Sequence, residues 1–257
     1  MKYVILTLFL LLFNLLGLTI LRGQPASDAQ ESRKLFFGPQ LGGFAVGSVG
    51  TSVHDSVAIF SINPRWIGPY GSFYVEKPFT NSLSLRAEIT YTRIGMYFWV
   101  MDLRPDPYWG FTTPQRRTVL NSNIQIPVLL TVHLPRPLNY FSVLGGLDSH
   151  FQFRGRKNTN TIPNGHPGFS PKAVDIHNNL YRTTRTYVPY GVFGLRWDFG
   201  RSTLIARFET NLSRSYSRNI PAWGQSLPLN TSKSYLHVAL AHKFYSLKRK
   251  NKAVQGS

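Results

Sequence analysis

Four arrangements in this chain combine residue types that could do chemistry. Ser149 and His150 are adjacent, as a nucleophile and its base might be. Successive strand residues point to opposite faces, however, so no dyad forms and no catalytic residue is expected. His166, Asp175 and His177 share one stretch in which a D-x-H spacing could ligate a metal. No third ligand follows at a convincing spacing, so a solvated loop is expected and no metal site is assigned. The Gly-rich start from Gly38 to Gly50 contains "GGFAVGSVG" but lacks the Lys-Ser/Thr ending of a phosphate-binding loop. Close packing of a strand explains it, and no cofactor is expected. The fourth arrangement is a set of charges two residues apart: Arg86 with Glu88, Arg196 with Asp198, and Arg207 with Glu209, joined by Asp148 and Gln152.

Spacing by two requires strands to position these charges. Leu83, Leu85, Ala87, Ile89 and Tyr91 alternate with Ser84, Arg86, Glu88, Thr90 and Thr92. The same alternation sets Ile124, Ile126, Val128, Leu130 and Val132 against Asn123, Gln125, Pro127, Leu129 and Thr131. Leu204, Ala206 and Phe208 oppose Thr203, Ile205, Arg207 and Glu209, and Leu236, Val238 and Leu240 oppose Tyr235, His237 and Ala239. Period two marks a strand with two different faces. With weaker Gly-rich windows added, strands are predicted over 35–47, 66–77, 82–98, 118–133, 140–153, 185–198, 203–215 and 232–244. Each reaches the roughly 9 to 11 residues that a tilted membrane strand needs. The gaps at 78–81, 134–139 and 199–202 are tight turns. Those at 48–65, 99–117, 154–184 and 216–231 are long and rich in Pro, Asn, Gly and Ser. Alternation of short and long gaps predicts an antiparallel up-and-down transmembrane β-barrel of about eight strands, with periplasmic turns and external loops.

Aromatic residues gather at both ends of the predicted strands. Tyr140, Phe141, Trp197, Phe199, Phe244 and Tyr245 fall at the turn end. Trp66, Tyr97, Phe98, Trp99, Phe151, Phe153, Tyr187 and Tyr216 fall at the loop end. Two such clusters read as interfacial girdles. Met1-Lys2-Tyr3, an apolar run from Val4 to Leu21, and then Arg22 to Ser27 have the order of a secretory signal. Cleavage is expected near Gly23 or Ala26, giving a signal over 1–23, a linker over 24–34, a barrel over 35–245 and a basic periplasmic tail over 246–257. The apolar run would also just span a bilayer as an uncleaved anchor. There is no cysteine, so neither disulfides nor a lipid-acceptor thiol are available.

The pieces "LSLRAEITYTRIGM" (Leu83 to Met96), "NIQIPVLLTVHL" (Asn123 to Leu134), "YFSVLGGLDSHFQF" (Tyr140 to Phe153) and "YGVFGLRWDF" (Tyr190 to Phe199) together resemble the PorT-like outer-membrane β-barrel family of Bacteroidetes. There an "LSL-x-x-E-L-x-Y" strand precedes an "L-x-I-P-L-L-L" strand and then a "G-G" strand. The resemblance implies a bacterial outer-membrane location and no particular chemistry. One departure is the tail beyond Phe244, with Lys248-Arg249-Lys250-Asn251-Lys252, where many such barrels end on the terminal aromatic.

Inside so narrow a barrel, charges must be paired. Arg86, Glu88, Asp148, Arg196, Asp198, Arg207 and Glu209 are expected to form a lumen network, with Arg86 facing Glu209 and Glu88 facing Arg207. The net charge of +18 points to an anionic neighbour. An exported chain with no zinc-ligand set or recognition helix does not point to nucleic acid. Outer-membrane lipids fit better, in particular lipopolysaccharide phosphates held at the loop end by Arg116, Arg117, Arg154, Arg156 and Lys157. Further loop-end cations are Arg104, Lys172, Arg182, Arg185, Arg214 and Arg218. The expected role is a non-enzymatic scaffold or interaction module at the cell envelope, with a protein partner left open. The alternatives are a lipid-modifying enzyme and a narrow pore.

Overall fold

Alternation of apolar and polar residues carries the chain around a closed wall. The computed structural model describes residues 35–54, 56–103, 114–154, 162, 169–183, 185–213, 219–222, 224–229 and 231–247. The predicted signal and linker and most of the basic tail lie outside these residues. Seven long strands run in order: β1 (Leu35–His54), β2 (Val57–Pro78), β3 (Leu83–Asp102), β4 (Gln115–His133), β5 (Phe141–Arg154), β6 (Tyr187–Phe199) and β7 (Ser202–Asn211). A helix, α1 (Pro171–Asn179), stands between β5 and β6, and a short hairpin of β8 (Ile220–Ala222) and β9 (Gln225–Leu227) follows β7. β10 (Thr231–His242) and the short β11 (Tyr245–Leu247) complete the order. Neighbours pair antiparallel from β1 to β7, and β10 pairs with both β7 and β1, so eight strands close into an up-and-down barrel. Closure gives β1 a partner on each side over residues 40–50, so the sheet has no open edge there.

The two faces of the wall differ sharply. Leu85, Ile89, Ile126, Val128, Leu147, Phe193, Leu195, Phe208, Leu236, Val238 and Leu240 are all exposed on the outside. So continuous an apolar belt is the surface of a barrel embedded in lipid, and the chain is a membrane-spanning β-barrel. Exposed Tyr140, Phe141, Trp197, Phe199 and Phe244 rim the turn end, and Trp99, Phe151, Phe153 and Tyr187 rim the loop end. Phe98 is not part of that rim. It is 1 % exposed and faces inward, because period two puts it on the face opposite Trp99. The side chains of Trp66 and Tyr245, and all of Tyr216, lie outside the described residues.

Turn chemistry agrees with the sequence at the β6–β7 corner. Phe199 pairs with Ser202, leaving a two-residue loop in which Gly200 takes a φ of 64°. That is the primed-turn geometry tight hairpins prefer, and it suits glycine. The first long gap, 48–65, is a correction. β1 and β2 continue through it as a hairpin that pairs His54 with Val57. Ser48, Gly50 and Ser52 face inward while Val49, Thr51 and Val53 face out. Small polar residues on the inner face of a strand look like loop composition. β3 likewise runs on to Asp102 and β4 starts at Gln115, so the strand wall also takes up part of the second gap, 99–117.

Candidate functional site

Charged side chains on the inner faces form a ladder that climbs from the turn end. Lys243 Nζ lies 3.2 Å from Asp198 Oδ1, and Asp198 in turn holds Arg196 at 2.9 Å. Arg196 reaches Glu76 at 2.7 Å, and Glu76 lies 3.5 Å from Arg86. Arg86 pairs with Glu88 at 2.6 Å and Glu88 with Arg207 at 2.7 Å. Arg207 Nε then meets Glu209 Oε1 at 2.9 Å. Signs alternate at every step, as ions removed from water require. Neutral donors fill in: Ser84 Oγ donates to Glu76 at 2.7 Å and Thr203 Oγ1 to Asp198 at 2.6 Å. Gln40 accepts from Arg86 and donates to Tyr70 at 2.9 Å. The Arg86 guanidinium also stacks 3.8 Å over the Tyr74 ring. Gly194 makes room for this packing, since a Cβ there would stand 2.8 Å from that of Arg207.

Above the ladder sits a cluster of acids and histidines. Asp148 and His150 alternate on β5 and so share the inner face. His150 Nε2 lies 3.1 Å from Asp148 Oδ2 and 3.3 Å from Glu209 Oε2. His237 Nε2 is 3.2 Å from the same Glu209 oxygen, yet makes no hydrogen bond. One ligand atom each from Asp148, His150 and Glu209 fall within 4.8 Å of one another, all three residues buried. Tyr190 stacks on His150 with centroids 4.0 Å apart, and Tyr70 meets His237 edge-on at 5.2 Å.

The loop end is filled by apolar side chains. α1 begins at Ser170, whose hydroxyl accepts from Ala173 N at 3.1 Å, with Pro171 at the first turn. Ala173, Ile176, His177 and Leu180 recur at helical spacing and are buried, the stripe of a helix packed on a core. Asp102 at the end of β3 accepts from Ser170 N at 2.9 Å, fixing the helix entry. Asn178 holds Ile162 through both its backbone N and its carbonyl, each at 3.0 Å. His54 Nε2 stands 2.8 Å from the Pro228 carbonyl, tying the far hairpin to the β1 end. Phe44, Ile59, Ile94, Phe98, Val100 and Val119 from the wall join Ile176, Leu180, Ile220, Leu227 and Leu229 in one cluster. Ladder below and cap above fill the lumen. Outside the membrane span, burial first and Arg117 second hold the His177 pKa below its ordinary range.

The predicted residues divide as follows. All seven predicted lumen charges point inward, and Glu88 meets Arg207. Arg86 does not meet Glu209. Glu76 lies opposite Arg86 in the β2–β3 register and takes that arginine, while Glu209 faces His150 and His237. Glu76 sits at the end of a Gly-rich window, where alternation is faint. His150 and His237 were legible as inward-facing by period two, but a histidine alone does not say which acid it meets. Ser149 and His150 point to opposite faces, as alternation dictates. Asp175 and His177 lie on α1 and in its cap instead of in a solvated loop, and His166 lies outside the described residues. The inner face, with no metal expected, instead assembles the Asp148, His150 and Glu209 group. Arg117 is another correction: it is 0 % exposed, on the inner face of β4, and cannot touch a lipid phosphate. Arg116 beside it is exposed and lies 5.1 Å over Tyr97. The Arg154 side chain and Arg104, Arg156, Lys157, Arg214 and Arg218 lie outside the described residues.

No family model and no curated protein sequence matches this chain. Among solved structures it is similar to the outer membrane protein OprG from Pseudomonas aeruginosa, with a TM-score of 0.44 and 7 % identity over 84 % of this chain and 98 % of that one. It is also similar to Ail, the attachment invasion locus protein of Yersinia pestis, in complex with the heparin analogue sucrose octasulfate. There the TM-score is 0.39 and the identity 8 %, over 82 % of this chain and 99 % of that one. The NanC porin gives a TM-score of 0.24 and 10 % identity, over 82 % of this chain and 100 % of that one.

Proposed function

We propose that this outer-membrane β-barrel protein is a non-enzymatic scaffold whose capped loop end meets partners at the cell surface. The observation that carries this is the filled lumen. Among the described residues a ladder of ion pairs occupies the turn half and an apolar cap the loop half, an interior suited to supporting the wall rather than to passing a solute. A lipid-modifying enzyme would need a nucleophile and base on one accessible face near the outer rim. The adjacent serine and histidine are split, with Ser149 toward lipid and His150 wholly buried. The resemblance to PorT-like barrels supports an outer-membrane location and no particular role.

The partner chemistry we favour is the phosphate of lipopolysaccharide. Arg116 and Arg93 are exposed on the outer wall, beyond the apolar stretch of β3 that ends near Tyr91, and Arg182 is exposed beside α1. Planar guanidinium forks match phosphate oxygens in charge and geometry. Buried Arg117 is not among them. The test compares the unfolding midpoint of the barrel in lipopolysaccharide and in neutral detergent, at low and high salt. The midpoint is expected to be higher in lipopolysaccharide, with the gain shrinking as salt screens the contacts. Equal midpoints under all four conditions would remove this partner. In the same samples, lipid recovered unaltered is the scaffold result, and cleaved or transferred acyl chains would make the barrel an enzyme.

A further inference from the structure

We infer that Asp148, His150 and Glu209 form a lumen site for a divalent transition ion of the zinc class. Two strands supply its ligands. Asp148 and His150 come from β5, and Glu209 comes from β7, two strands along the wall. β6 lies between them, pairing Tyr190 with Asp148 and Val192 with Glu209. Around a tetrahedral zinc with bonds of about 2.0–2.1 Å, neighbouring donor atoms stand roughly 3.3 Å apart. His150 Nε2 lies 3.1 Å from Asp148 Oδ2 and 3.3 Å from Glu209 Oε2, so two edges of the group already have that length. One imidazole and two carboxylates are the donor types that suit such an ion.

A second buried histidine stands beside the group. His237 Nε2 lies 3.2 Å from Glu209 Oε2 with the ring fully buried, but it forms no hydrogen bond. It adjoins the group through Glu209 without belonging to it. Arg207 occupies the other oxygen, Glu209 Oε1, at 2.9 Å, which orients the carboxylate and leaves Oε2 facing the histidines. Tyr190 stacked at 4.0 Å fixes the plane of the His150 ring. Arg207 and Tyr190 thus orient two of the three ligands, the role that neighbours of a metal site play.

The full chain, without a polyhistidine tag, is refolded in detergent with zinc present, because buried ligands admit an ion most readily before the barrel closes. Free metal is removed with chelator and the bound zinc is counted by mass spectrometry. About one ion per folded chain is expected. Asp148→Asn, His150→Gln and Glu209→Gln should each weaken retention at least tenfold to a hundredfold, the range that outer-shell changes alone can produce. Ser149→Ala, on the lipid face, should retain the ion. Folding of each variant is read from its gel migration before and after boiling. If the variants do not fold, cobalt in the wild-type chain decides, since a tetrahedral site gives intense visible bands and a hydrated ion does not. Wild-type retention no greater than that of Glu209→Gln, or cobalt with only the spectrum of the hydrated ion, would overturn the site and leave a purely ionic cluster.

Discussion

At the scale of single residues, the lumen is held by who faces whom. Glu88 sits between two guanidiniums, at 2.6 Å from Arg86 and 2.7 Å from Arg207. Removing one member of a buried pair leaves its partner charged and dry, which costs about 3–5 kcal/mol. Glu88→Gln is therefore expected to destabilise the barrel by roughly that amount, and Arg207→Met together with Glu88→Leu by less than the sum of the single changes. The matching cycle on Arg86 and Glu209, which are joined only through Glu88 and Arg207, should show a smaller coupling than the Glu88–Arg207 cycle. Equilibrium unfolding in urea measures both cycles, and the opposite ranking would show that the ladder is wrongly ordered. Alternation alone tells which side chains point inward, since it depends only on strand geometry. It does not tell that Arg86 takes Glu76, because that pairing rests on the β2–β3 register, which the faint alternation around Glu76 does not reveal. The D-x-H spacing of Asp148 and His150 matches that of Asp175 and His177, yet on a strand it makes a shared face, and on α1 it does not.

At the scale of elements, the strands were legible from the sequence and the cap was not. A strand repeats its signal every second residue, whereas α1 is only nine residues long and is embedded in Pro- and Asn-rich sequence that reads as loop. Its helical stripe of Ala173, Ile176, His177 and Leu180 acquires meaning only once Ile94, Phe98 and Val119 of the wall are seen beneath it. The strand ends around 48–65 were missed for the converse reason, since inward-facing Ser and Gly mimic a loop. His177 makes the cap sensitive to pH. Its folded pKa is lowered by burial, so the neutral ring is the one that packs. The cap's stability is fully present above the ordinary histidine value of about 6.5 and is lost as pH falls below it, because the unfolded cap then binds the extra proton. Limited proteolysis of the intact barrel should cut the loop around α1 faster at acid pH. His177→Gln should lose that acid-dependent change, and Ser170→Ala, which deletes the helix cap, should cut faster at every pH, consistent with a loss of about 1 kcal/mol. Identical acid dependence in wild type and His177→Gln would assign the effect to another group.

At the scale of the whole molecule, the exterior and interior solve different problems. The apolar belt removes the wall from water, and its closure satisfies the backbone within lipid. The interior then has to fill a narrow bore. It does so with ions where the bore is closest to the periplasmic turns and with hydrocarbon where it opens toward the loops. On the proposed scaffold reading, such a barrel supports what its outer rim presents and passes no solute. The most direct test is single-channel recording on the refolded full chain in a planar bilayer, with folding verified by a shift in gel migration on boiling. The account predicts a silent membrane at every applied voltage, and one that stays silent when the 155–184 segment carrying α1 is deleted, because the ion-pair ladder on the wall strands still occupies the turn half. Regular current steps from the intact, folded chain would contradict it and make the protein a pore.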